Sequence, residues 1–294
     1  MKGYYDIAGD GGSRILEQVA ELRSRIADGL AGVRHLVAIG SGKGGVGKST
    51  LTMHLAGALR AQGLRIAILD ADFNGPSQAR MAGVQQAVFV PGSKKVALPR
   101  NAAGIGVFSI GSIIPESQAL EFESVADGES QTWRGTREFS MLGEILGSFE
   151  WGALDLLLVD LPPGSDRTIQ FAEFFGPRTS FVMVTIPSQV ARGVVARSVA
   201  ALAKRPNRLI GYVENMSGYY CRDCHGVKPL FISDDSTLGV PCLGSVPFDP
   251  ELARHCDLGM PFTELRETPV GKALERVAER LLRELEGDSE RTSE

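Results

Sequence analysis

Apolar residues recur in two rhythms along this chain, and their alternation sets the expected fold. Ile15, Leu16, Val19, Leu22, Ile26 and Leu30 fall at helical spacing and predict an amphipathic helix over residues 14–30. A continuous apolar run follows in His35-Leu36-Val37-Ala38-Ile39 and ends in a glycine-rich loop. Short runs without alternation suit strands buried on both faces. Residues 49–62 then read as a helix stopped by Gly63, and residues 64–69 as a second buried strand ending at Asp70. Further strands are expected at 154–159, 180–186 and 209–213, with helical spacing near 189–204 between the last two. Leu274, Val277, Leu281, Leu282 and Leu285 give one more amphipathic helix over 270–285. Strands separated by helices, with no hairpin pattern, predict an α/β fold: a mostly parallel sheet covered by helices on both faces.

The pattern also divides the chain. Residues 1–32 read as an N-terminal extension with one helix, 33–286 as the main domain, and 287–294 as a disordered tail. Residues 1–12 are glycine-rich with no apolar period, so no regular structure is expected there. Residues 81–135 place Pro, Gly and acids around apolar runs at 88–90 and 105–110, which suggests a variable insertion lying over the sheet. Glu121, Glu123 and Asp127 in this stretch read as a solvated face. No internal repeat is found.

Composition narrows the classes. The 294 residues are 43% apolar and 22% charged, ordinary for a soluble globular protein. A formal net charge of -4 argues against a general basic surface, so nucleic acid is not an expected partner. No run approaches the roughly 20 apolar residues that span a bilayer, and the N-terminus has no secretory pattern. The C-terminal helix mixes Arg with Glu on its polar face, unlike membrane-surface helices. A soluble, cytoplasmic protein without a membrane partner is therefore expected. In such a compartment four cysteines are not a disulfide framework, and the close pair Cys221/Cys224 reads as a metal or redox site.

The glycine-rich loop carries the strongest chemistry. Gly42-Lys43-Gly44-Gly45-Val46-Gly47-Lys48-Ser49-Thr50 contains G-x-x-x-x-G-K-S between an expected strand and helix, the context of a phosphate-binding P-loop. Glycines let the backbone curve around phosphate with its N–H groups inward, and the helix adds the positive end of its dipole. Lys48 is then expected to reach the β and γ phosphates of ATP, and the Ser49 hydroxyl to enter a Mg²⁺ shell. Asp160, ending the 154–159 strand, is the expected acceptor for a Mg²⁺-bound water, and Pro162-Pro163-Gly164 a loop able to sense the γ-phosphate. Asp70 and Asp72 sit where acids face the ligand crevice of such sheets. His54, on the P-loop helix, reads as a packing residue.

Lys43 inside the loop, with Asp70-Ala71-Asp72 and Asp160, resembles the deviant-Walker-A class of P-loop NTPases, which includes MinD, ParA and the nitrogenase iron protein. The resemblance implies two ATP molecules sandwiched in a homodimer, with Lys43 reaching into the partner's site and Asp72 orienting the attacking water. Glu214-Asn215-Met216-Ser217 followed by Cys221-Arg222-Asp223-Cys224 is similar to the signature of the Mrp/ApbC iron–sulfur cluster carriers. Trp133-Arg134-Gly135 and Gly244-Ser245-Val246-Pro247-Phe248-Asp249-Pro250 extend that likeness over about residues 33–285. It implies that Asn215 reads the adenine ring, and that apo iron–sulfur proteins receive the cargo.

Two thiolates per chain are half of what a [4Fe–4S] cluster or a structural zinc needs. A cluster bridging two copies answers this, and is how the family is understood to hold it; the cysteine-bearing loop is expected over 218–236. A zinc site within one chain is the alternative, completed by Cys242 or Cys256 with His225 or His255. A third reading is a positioning or partitioning switch of the MinD/ParA kind, which needs no metal. Cys242, between Pro241 and Leu243, reads as a buried small hydrophobe. One departure stands out: the family's Pro-Pro-Gly-Thr-Gly-Asp is here Pro162-Pro163-Gly164-Ser165-Asp166, one residue shorter. The class uses ATP to set conformation, so slow hydrolysis is expected.

Overall fold

The computed structural model describes residues 15–89, 95–114, 131–231, 238–260 and 262–291. The first half runs α1 (Ile15–Gly29), β1 (Val33–Ser41), α2 (Lys48–Ala61), β2 (Ile66–Asp70), α3 (Gln78–Ala82), β3 (Val96–Ala97), β4 (Gly106–Phe108) and α4 (Gln131–Ser148). Then come β5 (Phe149–Glu150), β6 (Leu154–Asp160), α5 (Ser165–Phe175), β7 (Thr179–Thr185), α6 (Gln189–Leu202) and β8 (Arg208–Cys221). The chain closes with β9 (Gly226–Pro229), β10 (Cys242–Phe248), α7 (Pro250–Leu258) and α8 (Pro269–Arg291).

The main sheet has the order β10-β8-β7-β1-β6-β2-β4, parallel throughout, with β9 adding antiparallel to β8. Because β1 lies between β6 and β7, with Ile39 opposite Asp160 and Ser41 opposite Val184, the loop after β1 opens where the strand order reverses. Ligands collect at that crevice in open α/β sheets.

Alternation of side chains across the sheet explains the continuous apolar runs. In β1 and β6, Val37, Ile39, Leu156 and Leu158 enter a core shared with Leu51 and Leu55 of α2 and Val277 and Leu281 of α8. Leu36, Ala38, Leu157 and Val159 enter the opposite core with Leu142 of α4, Phe171 of α5 and Val195 of α6. Both faces are thus covered by helices, which is why these strands show no polar face.

Several elements depart from the sequence reading. The 105–110 run is not cover: β4 pairs with β2 and forms the sheet edge, because Val107 and Phe108 are fully buried. The 88–90 run forms no strand in its described part; Val88 is exposed while Phe89 meets Phe149 edge-on. A hairpin does occur, since β8 runs eight residues past the expected end at 213 and turns at Cys221 into β9. β10, α4, α5 and α7 were not anticipated, and α8 continues to Arg291 instead of ending at 285, since nothing after Leu285 breaks a helix as proline does. α8 therefore takes in residues 287–291 of the stretch expected as a tail. Residues 1–12, Glu121, Glu123, Asp127 and 292–294 lie outside the described residues.

Candidate functional site

The loop after β1 adopts the shape its glycines permit. Gly45 and Gly47 have φ of 77° and 78°, the left-handed region that strains other residues. At Gly42 an added Cβ would lie 2.6 Å from Val194 Cγ1, so only glycine passes beneath α6. Ser41 Oγ donates to the Lys43 carbonyl at 3.0 Å and fixes the loop's first turn. No side chain caps the N-terminus of α2 at Gly47. Its first-turn N–H groups are therefore available to an anion.

Beneath the loop is a buried polar cluster centred on Asp160, which is fully shielded. Lys48 Nζ donates to Asp160 Oδ1 and, at 3.1 Å, to Ser49 Oγ. The Thr52 hydroxyl lies 3.4 Å from the same oxygen, and Gln78 Nε2 donates to Asp160 Oδ2 at 2.8 Å. The Lys48 ammonium therefore sits among the oxygens that suit a hard cation: a hydroxyl and a carboxylate.

Asp70 plays a different part from the one its strand-end position suggests. It is buried and accepts from the N–H groups of Asp72, Ser77 and Gln78 and from the Ser109 hydroxyl at 2.8 Å. Burial, then the charge of Asp160, pushes its carboxyl up to about 7. Asp70, buried within reach of the charges of Asp160 and Lys48, thus ties down the 72–78 loop. Asp72 is half-exposed and accepts from Gly75 N at 3.2 Å.

The shortened Pro162-Pro163-Gly164 turn lies over the loop. An added Cβ at Gly44 would meet only Pro163 Cγ, at 3.9 Å, and Gly164 N donates to Ser41 O at 2.9 Å. Gly164 has φ 118°, and α5 starts directly after it with Asp166 in the first turn. Arg167 pairs there with the buried Glu138 and lies over the rings of Phe139 and Phe171.

On the other side of α2 is a mostly apolar cavity of about 140 Å³, lined by Gly47, Thr50, His54, Asn215, Pro247 and Asp249 among others. Asn215 Nδ2 donates to the Val46 carbonyl at 2.9 Å, which joins β8 to the loop. His54 Nε2 is 3.4 Å from Cys256 Sγ. Burial holds the His54 imidazole down to about 4 and pushes the Cys256 thiol up to about 11, so both are neutral packing groups. Asp249 caps α7 by accepting from Glu251 N at 3.0 Å.

Cys221 and Cys224 stand at the β8–β9 turn, the first half-exposed and the second exposed. The backbone N–H groups of Cys224 and Asp223 lower the Cys221 thiol from its ordinary value. The structure corrects two expectations. Cys242 is exposed, because it opens the edge strand β10 while its neighbour Leu243 faces the core. The zinc set within one chain is not assembled: Cys256 is buried beside His54, and among the described residues no three His, Cys, Asp or Glu side chains gather as a metal site.

The chain that carries this phosphate loop and cysteine pair matches a known family over residues 32–282. The chain belongs to the NUBPL iron-transfer P-loop NTPase family, within the ParA group. It is 31% identical over 282 residues to an iron-sulfur cluster carrier protein of Saccharolobus solfataricus, covering 94% of this chain and 92% of that one. It is 37% identical over 267 residues to the cytosolic Fe-S cluster assembly factor NUBP2 of Bos taurus, covering 87% and 94%. Among solved structures, a nucleotide-binding protein from Archaeoglobus fulgidus in complex with ADP superposes with a TM-score of 0.68 at 27% identity, covering 84% of this chain and 96% of that one. The cell division ATPase MinD of Pyrococcus furiosus gives a TM-score of 0.60 at 21% identity, covering 85% and 99%, and shares the fold.

Membership in this NTPase family leaves some site residues that the sequence reading passed over. Gln78 and Thr52 surround Asp160 without a motif to mark them. Pro247 and Asp249 did carry a signal, since they lie in the Val246-Pro247-Phe248-Asp249-Pro250 stretch of the family likeness. Among the described residues no helix is long and apolar enough to cross a membrane.

Proposed function

We propose that this chain is an ATP-binding, slowly hydrolysing homodimer that holds a [4Fe–4S] cluster between two copies and transfers it to apo-proteins in the cytoplasm. One observation carries the reading: in a chain of an iron-transfer NTPase family, the strand that brings Asn215 to the P-loop ends at Cys221 and runs into the turn that holds Cys224. The names of the relatives, an iron-sulfur cluster carrier and a cytosolic Fe-S cluster assembly factor, support the cargo and the compartment.

The residues fit ATP with Mg²⁺. Gly42 to Thr50 offer a cradle, with nothing within 4 Å of a Cβ added at Gly45. Ser49 and Asp160 supply hard oxygens, Asp160 through water, and Lys48 turns from Asp160 to the β and γ phosphates. Magnesium, when bound, neutralises phosphate charge. Asn215 and the cavity beside it receive the adenine ring. Lys43, half-exposed in the loop, reaches the nucleotide of the partner copy, and Asp72 orients the attacking water. Positioning and charge neutralisation dominate phosphoryl transfer, so a site completed only on dimerisation turns over slowly. Neither membrane nor nucleic acid is required.

The two thiolates of each copy give the four ligands of one cluster, and the exposed turn leaves the cargo reachable by a recipient. Anaerobic reconstitution of the wild type should give a visible charge-transfer band that Cys221→Ala/Cys224→Ala lacks. Equal iron and absorbance in the double variant would refute the assignment.

A further inference from the structure

One of the two residues between the cysteines ties their turn to a neighbouring helix. Arg222 follows Cys221 in the β8–β9 turn, yet its guanidinium extends to the start of α7, with Nη2 3.4 Å from Asp249 Oδ1 and Nη1 3.7 Å from Glu251 Oε1. The two ends of this contact differ in character. Arg222 is 55% exposed, whereas the Asp249 side chain is wholly shielded.

Asp249 is also a wall of the cavity beside the P-loop, with Pro247, Phe248 and Asn215. Its Oδ1 holds the first turn of α7, and its buried Oδ2 has no partner among the described residues. A buried carboxylate oxygen left unpaired asks for a donor. One carboxylate therefore lines the cavity on one side and meets the cysteine turn on the other. Tyr219 of β8 rests against Phe248 with ring centroids 6.4 Å apart, a second contact along the same seam.

We infer that Arg222 is a latch coupling nucleotide binding to metal loading at Cys221 and Cys224. This rests on the function proposed above. The guanidinium has two alternative anionic partners: the carboxylates of Asp249 and Glu251, or the thiolates on either side of it once they carry a cluster. Without cargo, Arg222 pins the N-terminus of α7 and keeps the cavity wall closed. With cargo, the anionic thiolates compete for the guanidinium, the pin on Asp249 loosens, and the cavity holds its ligand less tightly. Coupling is reciprocal, so nucleotide binding weakens the hold on the cluster by the same factor. Arg222 touches neither reacting phosphate nor metal; it is a positioning residue.

The test is ADP affinity, measured anaerobically by calorimetry on apo and cluster-reconstituted protein, for the wild type, Arg222→Gln and Arg222→Lys. In the wild type, loading should weaken ADP binding about fivefold, the lower end of known coupling strengths. In Arg222→Gln the apo and loaded forms should bind ADP equally, and Arg222→Lys should restore part of the difference. The visible band checks that each variant loads as the wild type does. No effect of loading in the wild type, an undiminished effect in Arg222→Gln, or failure of Arg222→Gln to load would overturn the latch while leaving the carrier function in place. Absence of cluster from the wild type itself would instead bring down the functional reading, and the latch with it.

Discussion

At the scale of single residues, the site depends on how buried charges are matched. Lys48 and Asp160 are 7% and 0% exposed at the side chain, so each neutralises the other away from water. Removing one partner of such a pair leaves an uncompensated buried charge, whereas replacing both with apolar groups of similar size is often nearly neutral. In nucleotide-free protein, Lys48→Ala should therefore cost about 3–5 kcal/mol in urea unfolding, and Lys48→Met/Asp160→Leu should recover most of it. Both variants should lose nucleotide binding. A further prediction concerns His54, whose folded value near 4 lies below the ordinary 6.5 because burial disfavours the imidazolium. The unfolded chain then binds the extra proton first as pH falls. This stabilising contribution is complete above pH 6.5 and is lost as pH drops through about 4, for a total of roughly 3 kcal/mol. His54→Gln should flatten the stability–pH curve over that window; an unchanged curve would mean that the imidazole is not held neutral.

At the scale of elements, the legible parts of the sequence were those whose pattern is local. β1, β2, β6 and β7 are apolar on both faces because both faces are covered, and the Gly42–Ser49 spacing states its own backbone geometry. Elements specified by distant partners were harder to read. α5 carries Phe171, Phe174 and Phe175, whose ring contacts with one another and with Phe139 blur its apolar period. β4 is short, and only its pairing with β2 makes it a strand. The second half of β8, Glu214 to Cys221, mixes polar and apolar residues without a period, only Gly218 to Cys221 pairing with β9, and no turn dipeptide announces that hairpin. α7 did have a start signal in Asp249-Pro250-Glu251, a capping residue followed by proline at the first helical position. The elements also sort the cysteines. The β8–β9 turn and the start of β10 present Cys221, Cys224 and Cys242 outward, while α7 turns Cys256 inward with its thiol at about 11. Titration with a thiol reagent in native apo-protein should modify three cysteines rapidly and the fourth only on unfolding. Rapid reaction of all four would mean that α7 does not pack as described.

At the scale of the whole molecule, the proposed function makes each chain half of two sites. The P-loop has its own lysine, Lys48, and a second, Lys43, directed by the proposal to another copy; the turn at Cys221 and Cys224 supplies two thiolates where a cluster takes four. In the proposed function one homodimer meets both shortages. Loading with cluster should therefore convert apo-protein to a dimer in sedimentation, and Cys221→Ala/Cys224→Ala should not respond to iron and sulfide. The most direct test is metal analysis of protein purified and reconstituted without oxygen. A cluster bridging two copies predicts about two iron and two sulfide per chain, that is, one four-iron cluster shared by two chains, with the iron lost in the double cysteine variant. Zinc near one atom per chain without a visible band, or iron that persists when both cysteines are replaced, would contradict it.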